Sequence, residues 1–175
     1  MIDFGLADVA DAEAIGEPGQ RTFRVRARAG THHAALWMEK EQLAALGRAI
    51  SRLLADRSRE RTSSPPRRVS VAAFPERPDV ELHVVRLGLD YQEEDEHVVV
   101  LADDREALEQ GDTPAFRMEI SREQARALVA QIAEAVAGGR PLCPLCGRPL
   151  EGDGPHFCPG SNGHSEELEI PKPED

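Results

Sequence analysis

Cysteine is missing from the first 142 residues of this 175-residue chain, and all three cysteines, Cys143, Cys146 and Cys158, fall near its end. No disulfide framework can therefore support the bulk of the fold, which must form by burying apolar surface. Aromatic residues are also scarce, at 4%, so that surface has to come from Ala, Leu, Val and Ile. No run approaches the ~18 apolar residues of a membrane-spanning helix. The opening MIDFGLADVADAEAIG has no basic start and no apolar stretch, so it does not read as a secretory signal and the cytoplasm is the expected compartment. Positive charge is in deficit: 21 Lys and Arg against 32 Asp and Glu give a net charge of −11. Such a field repels a phosphate backbone and disfavours nucleic acid as a partner. There is no P-loop, nucleophile elbow, dinucleotide fingerprint or HExxH, and hence no assignable catalytic residue.

What is present is periodicity. In RTFRVRARAG, Phe23, Val25 and Ala27 alternate with Arg24, Arg26 and Arg28, the pattern of a half-buried strand. Pro18-Gly19 before it signals a turn. AALWMEK reads as a further strand. ELHVVRLGL and HVVVLADD flank the acidic DYQEEDE and predict a hairpin with a long connection. Leu43, Leu46, Ile50, Leu53 and Leu54 lie on one helical face, as do Ala125, Leu128, Val129, Ile132 and Val136. Ser121 with Gln124 predicts a capping box, and Gly138-Gly139 a helix stop.

Two segments resemble each other: ALWMEKEQLAALGRAISRLLA and AFRMEISREQARALVAQIAEAVA. Each passes from a strand through Met-Glu (Met38-Glu39, Met118-Glu119) into a helix carrying Glu-Gln (Glu41-Gln42, Glu123-Gln124), which predicts a duplication. The expected class is α+β: a βββα-like unit of antiparallel strands and one helix, used twice about a pseudo-twofold, with a small C-terminal zinc knuckle. The expected segments are a first β-rich unit over 1–56, a linker over 57–68, a second unit over 69–139, the knuckle over 140–164 and a disordered acidic tail over 165–175. The linker region DRSRERTSSPPRRVS is rich in Arg, Ser and Pro.

In CPLCG a tight turn aims two sulfurs at one point, and backbone N–H groups of that turn can donate to the thiolates. HFC then adds His156 and Cys158. Cys143, Cys146, His156 and Cys158 make three soft sulfurs and one imidazole, a tetrahedral zinc set. His164 is the alternative fourth ligand. A CxxC redox pair would need a helix starting at Cys143, and Pro144 and Pro149 oppose one. A closed four-ligand site leaves no position for water, so the zinc is expected to be structural.

Other constellations are weaker. The Arg24, Arg26 and Arg28 stripe, with Arg21 and Gln20 near by, could bind an anion, but a sheet face paired with neighbouring carboxylates is the preferred reading. His32-His33 with Glu39 reads as a turn or strand edge, and EEDEH (Glu93 to His97) as a solvated hairpin loop that lacks the order of a calcium site.

GEPGQRTFRVRAR, MEKEQLAALGRAISRLL and CPLCGRPL…HFCP…NG together resemble an uncharacterised family of high-GC bacteria, domain of unknown function 3090, along essentially the whole chain. The resemblance implies a cytoplasmic protein with a CPxCG…HxCP tail and supports the ligand set above. It carries no activity and transfers no catalytic residue. The expected function is a zinc-stabilised, non-enzymatic adaptor or regulatory protein with a protein partner. The alternative is an enzyme or small-anion sensor with a site between the two halves, lined by Gln20, Arg21, Arg24 and Arg26.

Overall fold

A computed structural model of the chain describes residues 1–17, 20–57, 69–111, 113–138, 143, 145–146 and 158, and among these are eight strands and three helices. In chain order they are β1 (Ile2–Leu6), β2 (Val9–Ile15), β3 (Thr22–Ala29), β4 (His32–Met38), α1 (Lys40–Asp56), β5 (Val80–His83), β6 (Arg86–Gln92), β7 (His97–Asp103), α2 (Arg105–Gln110), β8 (Phe116–Ser121) and α3 (Arg122–Ala137). The chain divides into two compact units, Met1–Gly138 and Gly139–Asp175. The turn at Pro18-Gly19, the linker after Arg57 up to residue 68, and the tail over 165–175 lie outside the described residues.

Within the first unit the strands form two mixed sheets, ordered β1-β8-β7-β6 and β2-β3-β4-β5. Each contains an antiparallel meander, β2-β3-β4 or β6-β7-β8, as alternation predicts. The outermost pairings, β1 with β8 and β4 with β5, are instead parallel. They arise because each half lends its first strand to the other half's sheet. The chain crosses between sheets at matching points. Ala7 N–H bonds the Glu119 carbonyl at 2.9 Å, and the next amide, Asp8, bonds Arg28 at 2.8 Å. Val84 N–H bonds the Trp37 carbonyl at 2.8 Å, and Val85 then bonds Asp103 at 2.7 Å.

The repeated Glu-Gln explains what pins these crossings. Gln42 and Gln124 each occupy the third position of a helix whose cap is Glu39 or Ser121. Each amide oxygen accepts the cap residue's N–H, at 2.8 Å and 2.7 Å, closing a capping box. Each amide nitrogen then donates to both carbonyls of a crossing: Gln42 to Val84 and Val85 at 3.1 and 3.4 Å, Gln124 to Ala7 and Asp8 at 2.8 Å each. One side chain thus satisfies a helix terminus and two carbonyls that no ladder can use.

Register corrects one detail of the repeat. Phe23 faces Met38 in one meander, and Val98 faces Ile120 in the other. With the two glutamines superposed, Met38 corresponds to Ile120, so the two Met-Glu pairs are out of step by two residues. A shift of two keeps side chains on the same face, so the sequence likeness survives without structural equivalence. Leu46 and Leu128 do correspond, and both are buried.

A single apolar cluster joins both sheets and helices, from Ala7, Val25, Leu36, Leu43 and Ile50 to Val98, Val100, Phe116, Met118, Leu128 and Ile132. The helices meet where a Cβ on Gly47 would lie 2.8 Å from the Ile132 Cγ2, so only glycine allows this approach. Helix α3 also guards the edge of β2: Gln131 accepts the Ala12 N–H at 3.3 Å and donates to the Val69 carbonyl, covering an edge that would otherwise be open. The halves differ most between their last two strands. Ala29 to His32 turn tightly through Gly30 (φ 58°), whereas β7 and β8 are separated by α2, whose cap Asp104 accepts the Ala107 N–H at 2.8 Å. The acidic β6–β7 connection is shorter than the sequence suggests, residues 93–96 only.

Candidate metal centre

In the C-terminal unit the described residues are the three cysteines and Leu145. Leu145 and Cys146 lie in a turn, as two thiols spaced by two residues require when both face one point. Cys143 and Cys158 are buried and Cys146 is partly exposed. The three sulfurs all lie within 4.8 Å of one another, and the Cys143 and Cys158 sulfurs are 3.6 Å apart. A tetrahedral ion with metal–sulfur bonds of ~2.3 Å separates its thiolates by about 3.8 Å, so the sulfurs stand close to the spacing of ligands around one ion. The Cys146 and Leu145 N–H groups, hydrogen-bonded to the Cys143 sulfur, pull its thiol down to about 6, and Cys158 and Cys146 add to this against the effect of burial. These contacts favour the thiolate of Cys143, the form that binds metal. Among the described residues, no other group of three or more His, Cys, Asp and Glu side chains converges in this way. His156 and His164 both lie outside the described residues.

The arginine stripe belongs to the first unit, on the outer face of β3. Its cross-strand partners on β2 are acidic: Glu13 faces Arg24 and Asp11 faces Arg26. Arg24 Nε donates to Glu13 at 2.7 Å. Arg26 grips Asp11 with two bonds of 2.8 and 2.6 Å and reaches Glu13 at 3.2 Å. The hydrogen bond that Arg26 donates to Asp11 is the main reason its pKa is raised, against the cost of its burial. Arg28 pairs with Asp8 at 3.2 Å. The rings of Trp37 and Phe74 lie 4.8 and 5.0 Å from the Arg24 guanidinium carbon. Asp11, itself buried, also accepts the Val71 N–H at 2.8 Å and the Ser70 hydroxyl at 3.2 Å, fastening the segment that follows the linker. The signal for these carboxylates was available, since Asp11 and Glu13 alternate within VADAEAI.

Arg21 and Gln20 are placed apart from that ladder. Gln20 is exposed and its N–H bonds the Glu17 carbonyl at 3.0 Å. The Arg21 guanidinium packs over the C-terminal cap of α3, where a Cβ on Gly138 would come within 2.7 Å of it. A cation suits the negative end of a helix. Its Nε is buried and has no hydrogen-bond partner among the described residues. On the other sheet, His97 Nδ1 lies 2.9 Å from Glu119, which also takes a 2.7 Å bond from Arg117, and Arg117 reaches Asp3 on the lent strand β1 at 3.1 Å.

These features define a class: a duplicated α+β protein whose halves exchange strands, carrying a C-terminal cluster of three cysteines able to hold a metal ion. Among the described residues no helix is long and apolar enough to cross a membrane. The chain belongs to the family described as protein of unknown function (DUF3090), whose model matches residues 2–158 and so spans all three cysteines. Comparison with curated proteins and with solved structures gave no match.

Proposed function

We propose that this is a cytoplasmic, non-enzymatic adaptor or regulatory protein whose C-terminal segment is held together by one structural zinc ion, with Cys143, Cys146, Cys158 and His156 as ligands. The observation that carries the metal reading is the convergence of three thiols within 4.8 Å. Zinc suits three sulfurs and an imidazole, and a closed set of four supplies folding energy rather than an open position for substrate. The cysteines stand as thiols rather than disulfides, which fits a reducing compartment. A protein partner fits better than nucleic acid, because the chain carries a net charge of −11 and Arg24, Arg26 and Arg28 are each paired with a carboxylate.

Elemental analysis of protein purified without added metal tests this reading. One zinc per chain is expected, lost in His156→Ala and kept in His164→Ala. A stoichiometry near zero with all three thiols freely alkylated would refute it, and the reverse histidine result would move the fourth ligand to His164.

The Arg21 Nε, buried without a hydrogen-bond partner among the described residues, favours a second reading, a small-anion sensor at Gln20 and Arg21. Arg24 and Arg26, the other two residues of that candidate site, already hold Glu13 and Asp11. Titration with inorganic phosphate or sulfate, monitored by thermal shift, separates the readings: stabilisation abolished by Arg21→Gln supports the sensor, and no shift at millimolar anion removes it.

A further inference from the structure

Three thiols around one point can do more than hold an ion. The Cys143 and Cys158 sulfurs are in contact at 3.6 Å, and Cys146 also bears on Cys143. A disulfide bond is about 2.05 Å long, so each sulfur need move only about 0.8 Å. Cys146 is the most exposed of the three, which gives a small oxidant a route to the cluster. The two sulfurs in contact lie fifteen residues apart in sequence, so a bond between them would tie together the same two ends of the segment that a shared ion ties.

We propose that the cluster is a reversible oxidation site, in which a hydroperoxide converts Cys143 and Cys158 into a disulfide and leaves Cys146 as a single thiol. One thiolate sulfur attacks the terminal peroxide oxygen. The O–O bond breaks, the alkoxide or hydroxide leaves and takes up a proton, and the sulfur becomes a sulfenic acid. The second sulfur attacks the first, the S–S bond forms, and hydroxide leaves and is protonated to water. Two thiolates, one hydroperoxide and two protons give one disulfide, one alcohol (or water) and one further water. The two sulfurs lose the two electrons that the peroxide gains, and a dithiol reductant returns them. The consequence for a bound ion rests on the metal reading above: with two of three sulfurs withdrawn, the remaining ligands cannot hold it, and oxidation releases it.

The test treats full-length protein, as purified, with hydrogen peroxide from one to ten equivalents. Disulfides are mapped by peptide mass spectrometry, and released ion is followed with a chromogenic chelator. The expected result is one Cys143–Cys158 disulfide per chain, about one equivalent of ion released in step with it, and reversal of the disulfide by dithiothreitol. Cys146→Ser should still form that disulfide, while Cys143→Ser and Cys158→Ser should not. A disulfide confined to Cys143–Cys146, or three free thiols after ten equivalents, overturns the proposal. Formation of the Cys143–Cys158 disulfide in protein that contains no metal from the outset supports the oxidation site and refutes the metal reading, so the two fail separately.

Discussion

Before Gly138 the buried core is Leu, Val, Ile, Phe, Met, Ala and one Tyr, drawn mainly from two sheets and two helices, whereas the described residues buried beyond it are Cys143 and Cys158. The first unit has enough chain to fold on the hydrophobic effect alone. In the second, the described buried side chains are two thiols, and under the metal reading an ion would supply for a segment of a few dozen residues what a core supplies elsewhere. No cysteine belongs to the apolar cluster of the first unit. The proposed zinc would give one chain two physical means of closure, and each should then be breakable without the other.

The largest effect expected is from truncation after Gly138. It should remove all bound metal while residues 1–138 keep their helix and sheet content and a cooperative thermal transition. Loss of the transition would show that the division between the units is wrongly drawn. Within the first unit, Leu46→Ala and Leu128→Ala test whether the halves are equivalent as well as alike. Each opens the same apolar cluster and should cost about 2–5 kcal/mol in chemical denaturation, with metal content unchanged. Values below about 1 kcal/mol at both would mean the helical faces do not carry the core.

A smaller and more discriminating effect belongs to the glutamines. Removing either side chain leaves a cap N–H and two crossing carbonyls without their partner, at a cost of about 1–2 kcal/mol. Gln124→Ala should cost more than Gln42→Ala, because its bonds to the crossing are shorter, 2.8 Å each against 3.1 and 3.4 Å. Equal and negligible costs would remove the crossings from the account of stability.

The smallest effect is electrostatic. Hydrogen bonding from His97, and then from Arg117, holds the Glu119 pKa below its ordinary 4.5 despite partial burial. A carboxyl with a depressed folded pKa binds fewer protons folded than unfolded. Its contribution is therefore complete above 4.5 and is lost as pH falls from there through the lowered folded value. Glu119→Gln should flatten the acid limb of the stability profile below pH 4.5. An unaltered acid limb would show that the cluster of Asp3, Arg117, Glu119 and His97 does not contribute to it.

Much of this was legible in the sequence because it is local. Alternation marked β3, and the 3.6-residue stripes marked the buried faces of α1 and α3, since one sheet face and one helix face are buried. The crowding of Cys143, Cys146 and Cys158 marked a cluster because two of them share a turn. The exchange of β1 and β5 was not legible. Parallel pairing of Ile2 with Phe116 joins residues far apart in sequence, and the alternation within IDFGL and VELH marks a strand without saying which sheet it joins. Helix α2 has no buried residue and therefore no stripe to read. The Met-Glu match misled by two residues because strand periodicity forgives such a slip, whereas the Glu-Gln match held because the glutamine has a partner at both ends of its amide.

The most direct test of the two modes of closure is chelation of metal from the full-length protein, followed together by metal release and far-ultraviolet circular dichroism. The account predicts release of one ion per chain with the ellipticity of α1 and α3 essentially unchanged and the main thermal transition retained. Global unfolding in step with metal loss would contradict it, because the metal would then govern the fold of residues 1–138 as well.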